Sequence, residues 1–192
     1  MNIMADENQI ENENRASEEN SAWEFVKVVT ISLLIVIPIR TWIAQPFIVE
    51  GASMVPNFHD GEYLIIDEIS YAVTPPKRGE VIVFRYPLNP SEYFIKRIIG
   101  LPGETTSIKN GLISIKQPDS GETLVLGEPY IPDNIFTGPD EIIELGADQY
   151  FVMGDNREAS SDSRVWGPLP KGNITGRVFV RLWPLNRAGF AE

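Results

Sequence analysis

Two segments of the 192-residue chain set side chains where acyl chemistry would need them. Val49-Glu50-Gly51-Ala52-Ser53-Met54-Val55-Pro56 puts a serine after two small residues. A carbonyl substrate can then approach the backbone, and the Ser53 N–H can help hold an oxyanion. Val55 rules out a G-x-S-x-G elbow, and Pro56 rules out S-x-x-K. A plain turn suits the same residues. Tyr93-Phe94-Ile95-Lys96-Arg97-Ile98-Ile99 reads as a strand, with Phe94, Lys96 and Ile98 on one face and Ile95, Arg97 and Ile99 on the other. A lysine on an apolar face is costly when charged. Burial lowers its pKa from about 10.4, and a fall of about three units makes it a base near neutrality. The competing reading is an edge lysine that guards against aggregation.

A third segment runs from Gly154 to Gly167 as GDNREASSDSRVWG. Its short polar side chains can bond to their own backbone, and Asp155 and Asp162 can be braced by Arg157 and Arg164. The same arginines compete with any cation, so a metal at the two aspartates is the weaker alternative. The rest of the composition narrows the chemistry. With no cysteine there is no disulfide, thiolate cluster or cysteine nucleophile. The single histidine, His59, reads as a turn residue, which argues against a Ser-His-Asp triad and a His-rich metal site. No cofactor and no metal are expected. The net charge of −11 argues against nucleic acid as a partner.

These segments need elements to hold them. Residues 1–21 are rich in Asn and Glu, with Asp6, Glu7, Glu11, Glu13, Glu18 and Glu19 against Arg15, and are expected to be a disordered acidic tail. Residues 22–43 are expected to be one transmembrane anchor. The uncharged stretch Val28 to Ile39 falls short of the ~20 residues a span needs. It becomes long enough with its flanks: Glu24 and Lys27 at one interface, Arg40 at the other, and Trp23 and Trp42 at the two headgroup levels. A buried helix is the alternative. A cleaved leader is disfavoured by the acidic start and the lack of an A-x-A site. Arg15 and Lys27 on the N-terminal side, against Arg40 on the C-terminal side, favour a cytoplasmic N-terminus and an extracytoplasmic body at the cell membrane.

Residues 44–192 read as a mainly β, antiparallel domain. Strand-like runs rich in Val, Ile, Tyr and Phe lie at 46–50, 61–69, 79–86, 92–100, 105–109, 111–117, 149–154 and 175–183. Asn110-Gly111 suits a type I′ hairpin turn. Residues from about 104 to 148 read as a smaller inserted β sub-region, loosest from 118 onward, where acids, prolines and glycines gather.

Together GASMVP around Ser53, YFIKRIIGLPGE around Lys96 and GDNREASSDSRVWGPL from Gly154 resemble the bacterial type I signal peptidases, membrane-anchored Ser-Lys proteases. Their order, spacing and N-terminal anchor fit, over nearly everything from the span onward. The resemblance implies Ser53 as nucleophile, Lys96 as neutral general base and the Ser53 N–H as oxyanion donor. It implies that Ser160 contacts the lysine, that Asp155 pairs with Arg97, and that Asp162 pairs with Arg164. Some members carry a serine two residues before the nucleophile as a second oxyanion donor. Here that residue is Gly51, leaving its backbone, another backbone group or water as the substitute. The implied substrates are pre-protein signal peptides from the Sec and Tat export routes, cut after small residues in A-x-A-like sites. Phe47, Val49, Phe94 and Ile95 are expected to line the cleft, at the surface of the lipid bilayer. A self-cleaving Ser-Lys protease and an inactive anchored β-domain that binds envelope partners are the alternatives. The span and the third motif speak against the first, and the intact Ser53 and Lys96 against the second.

Overall fold

The computed structural model describes residues 23–34, 36, 45–132 and 135–191. The acidic tail, and residues 22, 35 and 37–43 of the expected anchor, lie outside the described residues. Residues 23–34 form helix α1, in which the Lys27 ammonium lies 5.6 Å from the centre of the Trp23 ring. Among the described residues no helix is long and apolar enough to cross a membrane.

From residue 45 the chain is built from short antiparallel strands. The larger sheet has eight: β1 (Gln45–Ile48), β2 (Tyr63–Asp67), β3 (Val81–Tyr86), β4 (Asn89–Gly100), β9 (Gln149–Met153), β10 (Leu169–Pro170), β11 (Ile174–Trp183) and β12 (Gly189–Phe190). Their order is β1-β2-β11-β3-β4-β9-β10, with β12 paired to β11. The smaller sheet, ordered β7-β6-β5-β8, comprises β5 (Thr105–Lys109), β6 (Leu112–Lys116), β7 (Thr123–Val125) and β8 (Glu141–Glu144). Two four-residue helices, α2 (Ser70–Val73) and α3 (Ser163–Trp166), and 3-10 turns at Lys171–Asn173 and Leu185–Arg187 lie between the strands. The β5–β6 hairpin turns at Asn110 and Gly111, whose φ angles of 51° and 80° are those a type I′ turn requires.

Alternation along β3 and β4 distributes the core. Val81 and Val83 point into one cluster with Met54, Phe58, Leu64 and Ile66. Ile82, Phe84 and Ile98 point into a second with Tyr150, Val152 and Leu169. Ile99 enters a third, where Phe151 and Met153 meet Ile108, Ile113 and Ile115 of the smaller sheet. Strand β4 therefore borders all three clusters. Each fully buried isoleucine stabilises this arrangement by roughly 1.5–3 kcal/mol. Short strands β7, β8, β10 and β12 add pairings that the sequence runs did not suggest. The inserted region, expected as a smaller β sub-region, forms the four-stranded sheet.

Candidate active site

Lys96 lies in β4 opposite Ile82 of β3, and its next neighbour, Arg97, faces Met153 of β9. The side chain is 4 % exposed. Its Nζ donates to Ser53 Oγ at 2.8 Å and to the Ile95 carbonyl at 2.9 Å, and lies 5.3 Å from the centre of the Phe94 ring. Burial strips water from the ammonium and lowers the pKa to about 8, while Asp162 and Asp155 pull it back up in part. A substantial fraction of the lysine is thus neutral near physiological pH, within hydrogen-bond reach of a hydroxyl it can deprotonate.

Ser53 belongs to a turn-rich loop, residues 51–60, whose apolar members Met54 and Phe58 are buried in the first cluster. The Ser53 N–H has no hydrogen-bond partner among the described residues. The Gly51 N–H, by contrast, donates to Asp60 Oδ1 at 2.7 Å. The Gly51 backbone, one of the substitutes considered for the missing hydroxyl, is thus engaged with Asp60 in this structure. His59 Nε2 sits 3.0 Å from the Pro56 carbonyl, inside the same loop.

The third motif meets this loop from the other side. Gly154 has to be glycine, because an added Cβ would lie 2.4 Å from the Ser53 carbonyl oxygen and 2.2 Å from Ser160 Oγ. The Asn156 N–H donates to that Ser53 carbonyl at 3.0 Å, and its side-chain Nδ2 to the Ala52 carbonyl at 3.1 Å. Asp155 takes Arg97 Nε and Nη2 at 2.8 and 2.7 Å, an almost fully buried bidentate pair. Its Oδ2 also accepts from Asn57 Nδ2 at 2.8 Å, and the Tyr130 ring stacks 4.1 Å from the Arg97 guanidinium. Asp162 pairs with Arg164 in the same two-pronged way, at 2.8 and 2.7 Å, and accepts the Gly154 N–H at 3.0 Å. Burial alone would raise its pKa, but the Arg164 guanidinium prevails and holds it below the ordinary value. Ser160 is placed differently from its expected role. The lysine's two hydrogen bonds go to Ser53 and Ile95, and the buried Ser160 hydroxyl lies on the Asp162 side, where its hydrogen bond helps lower the Asp162 pKa.

Further supports reach the site from other parts of the chain, and Arg157, expected to brace the motif's aspartates, turns elsewhere. Arg157 donates to Gly154 O, Thr137 Oγ1 and Glu128, tying the inserted region to the polar loop. Behind the serine loop, Arg181 and Arg187 reach the Asn57 carbonyl at 2.6 and 3.2 Å. The buried Glu62 lies between them, 2.8 Å from Arg181 and 2.9 Å from Arg187. Asn57 is the link, its carbonyl held from behind and its amide tied to Asp155 in front.

Beside the serine and lysine opens a cavity of about 540 Å³. Phe47, Val49, Phe94 and Ile95 line it, together with Ile48, Leu64, Val83 and Tyr93. Glu50, Glu92 and Ser161 also reach it. Two strand edges flank this opening. β1 is terminal in its sheet, and β4 pairs with β9 only from Arg97 onward. Phe47 and Tyr93 meet edge to face, 5.3 Å between centres.

The protein family described as "Signal peptidase, peptidase S26" matches residues 22–183. Signal peptidase I of Leptolyngbya laminosa is 41 % identical, over 86 % of this chain and 82 % of that one. Probable signal peptidase I-2 of Synechocystis sp. is 37 % identical, over 89 % and 78 %. Signal peptidase I of Bacillus licheniformis is 32 % identical, over 91 % and 95 %. A crystal structure of a signal peptidase I from Enterococcus faecalis V583 superposes with a TM-score of 0.47 at 28 % identity, covering 55 % of this chain and 98 % of that one. On the matched span and these identities, the chain belongs to the signal peptidase family, peptidase S26.

Proposed function

We propose that this peptidase removes signal peptides by acyl transfer through Ser53, with Lys96 as its base. The observation that carries the reading is the 2.8 Å contact between the serine hydroxyl and a buried lysine whose pKa is lowered to about 8. Neutral Lys96 takes the Ser53 proton as Oγ attacks the scissile carbonyl. Charge developing on the carbonyl oxygen is held by the Ser53 N–H. Protonated Lys96 then passes its proton to the leaving amine, and the ester is hydrolysed by a water that Lys96 deprotonates in turn. The substrate lies extended between the free edges of β1 and β4, adding a strand. Phe47, Val49, Phe94 and Ile95 crowd the cleft, which supports selection of small residues at the first and third positions before the cut.

Residues 22–43 act as a single-pass membrane anchor, with the N-terminus in the cytoplasm and the β domain outside, where pre-proteins emerge from the Sec and Tat routes. Ser53→Ala, which removes one oxygen, is expected to abolish pre-protein cleavage in detergent and leave circular dichroism unchanged. Lys96→Arg is expected to be inactive at every pH, since a guanidinium keeps its proton. The wild-type rate should rise with pH through a midpoint near 8. Cleavage by Ser53→Ala, or a rate that falls between pH 6 and 9 in folded protein, would sink the mechanism.

A further inference from the structure

We propose that Asn156 is a positioning residue for the oxyanion donor, aiming and polarising the peptide unit whose N–H is Ser53's. The inference rests on the reading of Ser53 as nucleophile. That peptide group joins Ala52 to Ser53, and its carbonyl and N–H point in opposite directions. The carbonyl accepts two donors, the Val55 N–H at 3.2 Å within its own turn and Asn156 Nδ2 at 3.1 Å from the facing loop. Donation to the carbonyl draws electron density from the nitrogen and makes the N–H a stronger donor. The Asn156 N–H also holds the following carbonyl, that of Ser53, at 3.0 Å. One asparagine thus grips two successive carbonyls and fixes the plane between them.

Position 51 is what makes this grip matter. It carries no hydroxyl, and its own N–H is spent on Asp60. The Ser53 N–H is therefore the oxyanion donor whose aim matters most, since position 51 backs it with neither side chain nor N–H. Asn156 reaches neither the Lys96 ammonium nor the Ser53 hydroxyl, so it can alter transition-state stabilisation without altering the base.

The test compares two ligands on the full-length enzyme in detergent: a peptide aldehyde ending in Ala-x-Ala and the matching peptide amide. Ser53 Oγ adds to the aldehyde carbon, its proton passes to Lys96, and the carbonyl π pair moves onto the oxygen, which the Ser53 N–H then binds. The amide binds without that charge. Asn156→Ala is expected to lower kcat about tenfold, below the ~10²–10³-fold that follows outright loss of an oxyanion donor. KM should stay within about twofold, as expected when only the transition state is affected. Aldehyde affinity should fall by the same factor as kcat, with amide affinity and the pH–rate midpoint unmoved. Asn156→Asp keeps the size and the backbone N–H but turns a carboxylate oxygen on the Ala52 carbonyl, so it should lose more; if the alanine variant fails to fold it carries the aldehyde–amide comparison, but not the pH midpoint, which its added charge would move through Lys96. Equal losses for aldehyde and amide, a displaced pH midpoint in the alanine variant, or full kcat in both variants would overturn the inference. A wild-type enzyme that binds the aldehyde no better than the amide would instead remove Ser53 from the nucleophile's role, and the inference with it.

Discussion

Lys96 sits in a twelve-residue strand that is paired with β3 and, from the next residue on, with β9, whereas Ser53 sits in a loop with no strand neighbour. Backbone register fixes where the base emerges, and packing against Phe94 and the surrounding core keeps it dry. The nucleophile is fixed by side chains reaching in from elsewhere: Asn156 and Asp155 in front, Arg181 and Arg187 behind. The contrast separates the two kinds of substitution that harm the site. On the base side, what matters is burial and charge. On the nucleophile side, it is the loss of a hydrogen bond from a residue distant in sequence.

The largest effect is expected where the two sides join. Asp155 pairs with Arg97, next to the base, and takes the amide of Asn57 from the serine loop. Asp155→Ala leaves a guanidinium that is 4 % exposed without its counter-charge. Truncating one partner of such a buried pair costs about 3–5 kcal/mol. Urea unfolding should show that loss, and pre-protein cleavage should fall with it even under conditions where the variant is folded. A stability change below about 1 kcal/mol, the size of an exposed pair, would mean the two sides are held independently.

The base side carries its own cost. In the folded protein Lys96 titrates at about 8, against 10.5 for the free side chain. Between those values the unfolded chain holds the proton and the folded chain does not, so stability rises with pH from about 8 to 10.5. Below 8 both states are protonated and the penalty is full and constant. The shift corresponds to about 3 kcal/mol, at 1.36 kcal/mol per unit. Lys96→Met removes the titrating group. Denaturation of both proteins at pH 7, 8, 9 and 10 should show the wild type gaining on the variant only above pH 8. Parallel curves would place the lysine in water.

The long strands were legible because Val, Ile, Tyr and Phe cluster in runs such as VIVFRY and IKRIIG. Strands of two or three residues, such as β7, β10 and β12, were not, because they exist only through a partner. Strand β8, with Glu141 and Glu144 flanking Ile142 and Ile143, lacks an apolar run long enough to announce itself. At the site, serine, lysine and the polar loop stand out in the sequence as residue types, and the resemblance arranges them. The clasp around the nucleophile stayed hidden. Asn57 meets Asp155 across 98 positions, Asn156 meets Ala52 across 104, and Arg181 meets Asn57 across 124. A polar residue in a loop, or an arginine on one strand such as Arg181 on β11, carries no mark of a partner so far away in sequence, so nothing local points to these contacts. Gly51 shows the converse: its identity removes a hydroxyl, but only the fold reveals that its N–H is already taken.

The smallest effect is expected behind the serine loop. Arg187 is a third exposed, contacts Glu62 at 2.9 Å, and shares the Asn57 carbonyl with Arg181. Of the two, Arg181 makes the shorter bond, 2.6 Å against 3.2 Å, and its guanidinium also lies 4.8 Å from the centre of the Phe58 ring. Arg187→Ala therefore leaves the carbonyl satisfied and Glu62 still facing one cation. The pair it removes is screened by water, so the loss in stability should be about 1 kcal/mol or less. Cleavage should stay within about twofold of wild type, since the clasp in front of Ser53 is untouched. A larger fall in kcat at unchanged stability would shift the weight of the nucleophile's support from the front of its loop to the back, and with it the contrast between a base placed by backbone and a serine placed by Asn156 and Asp155.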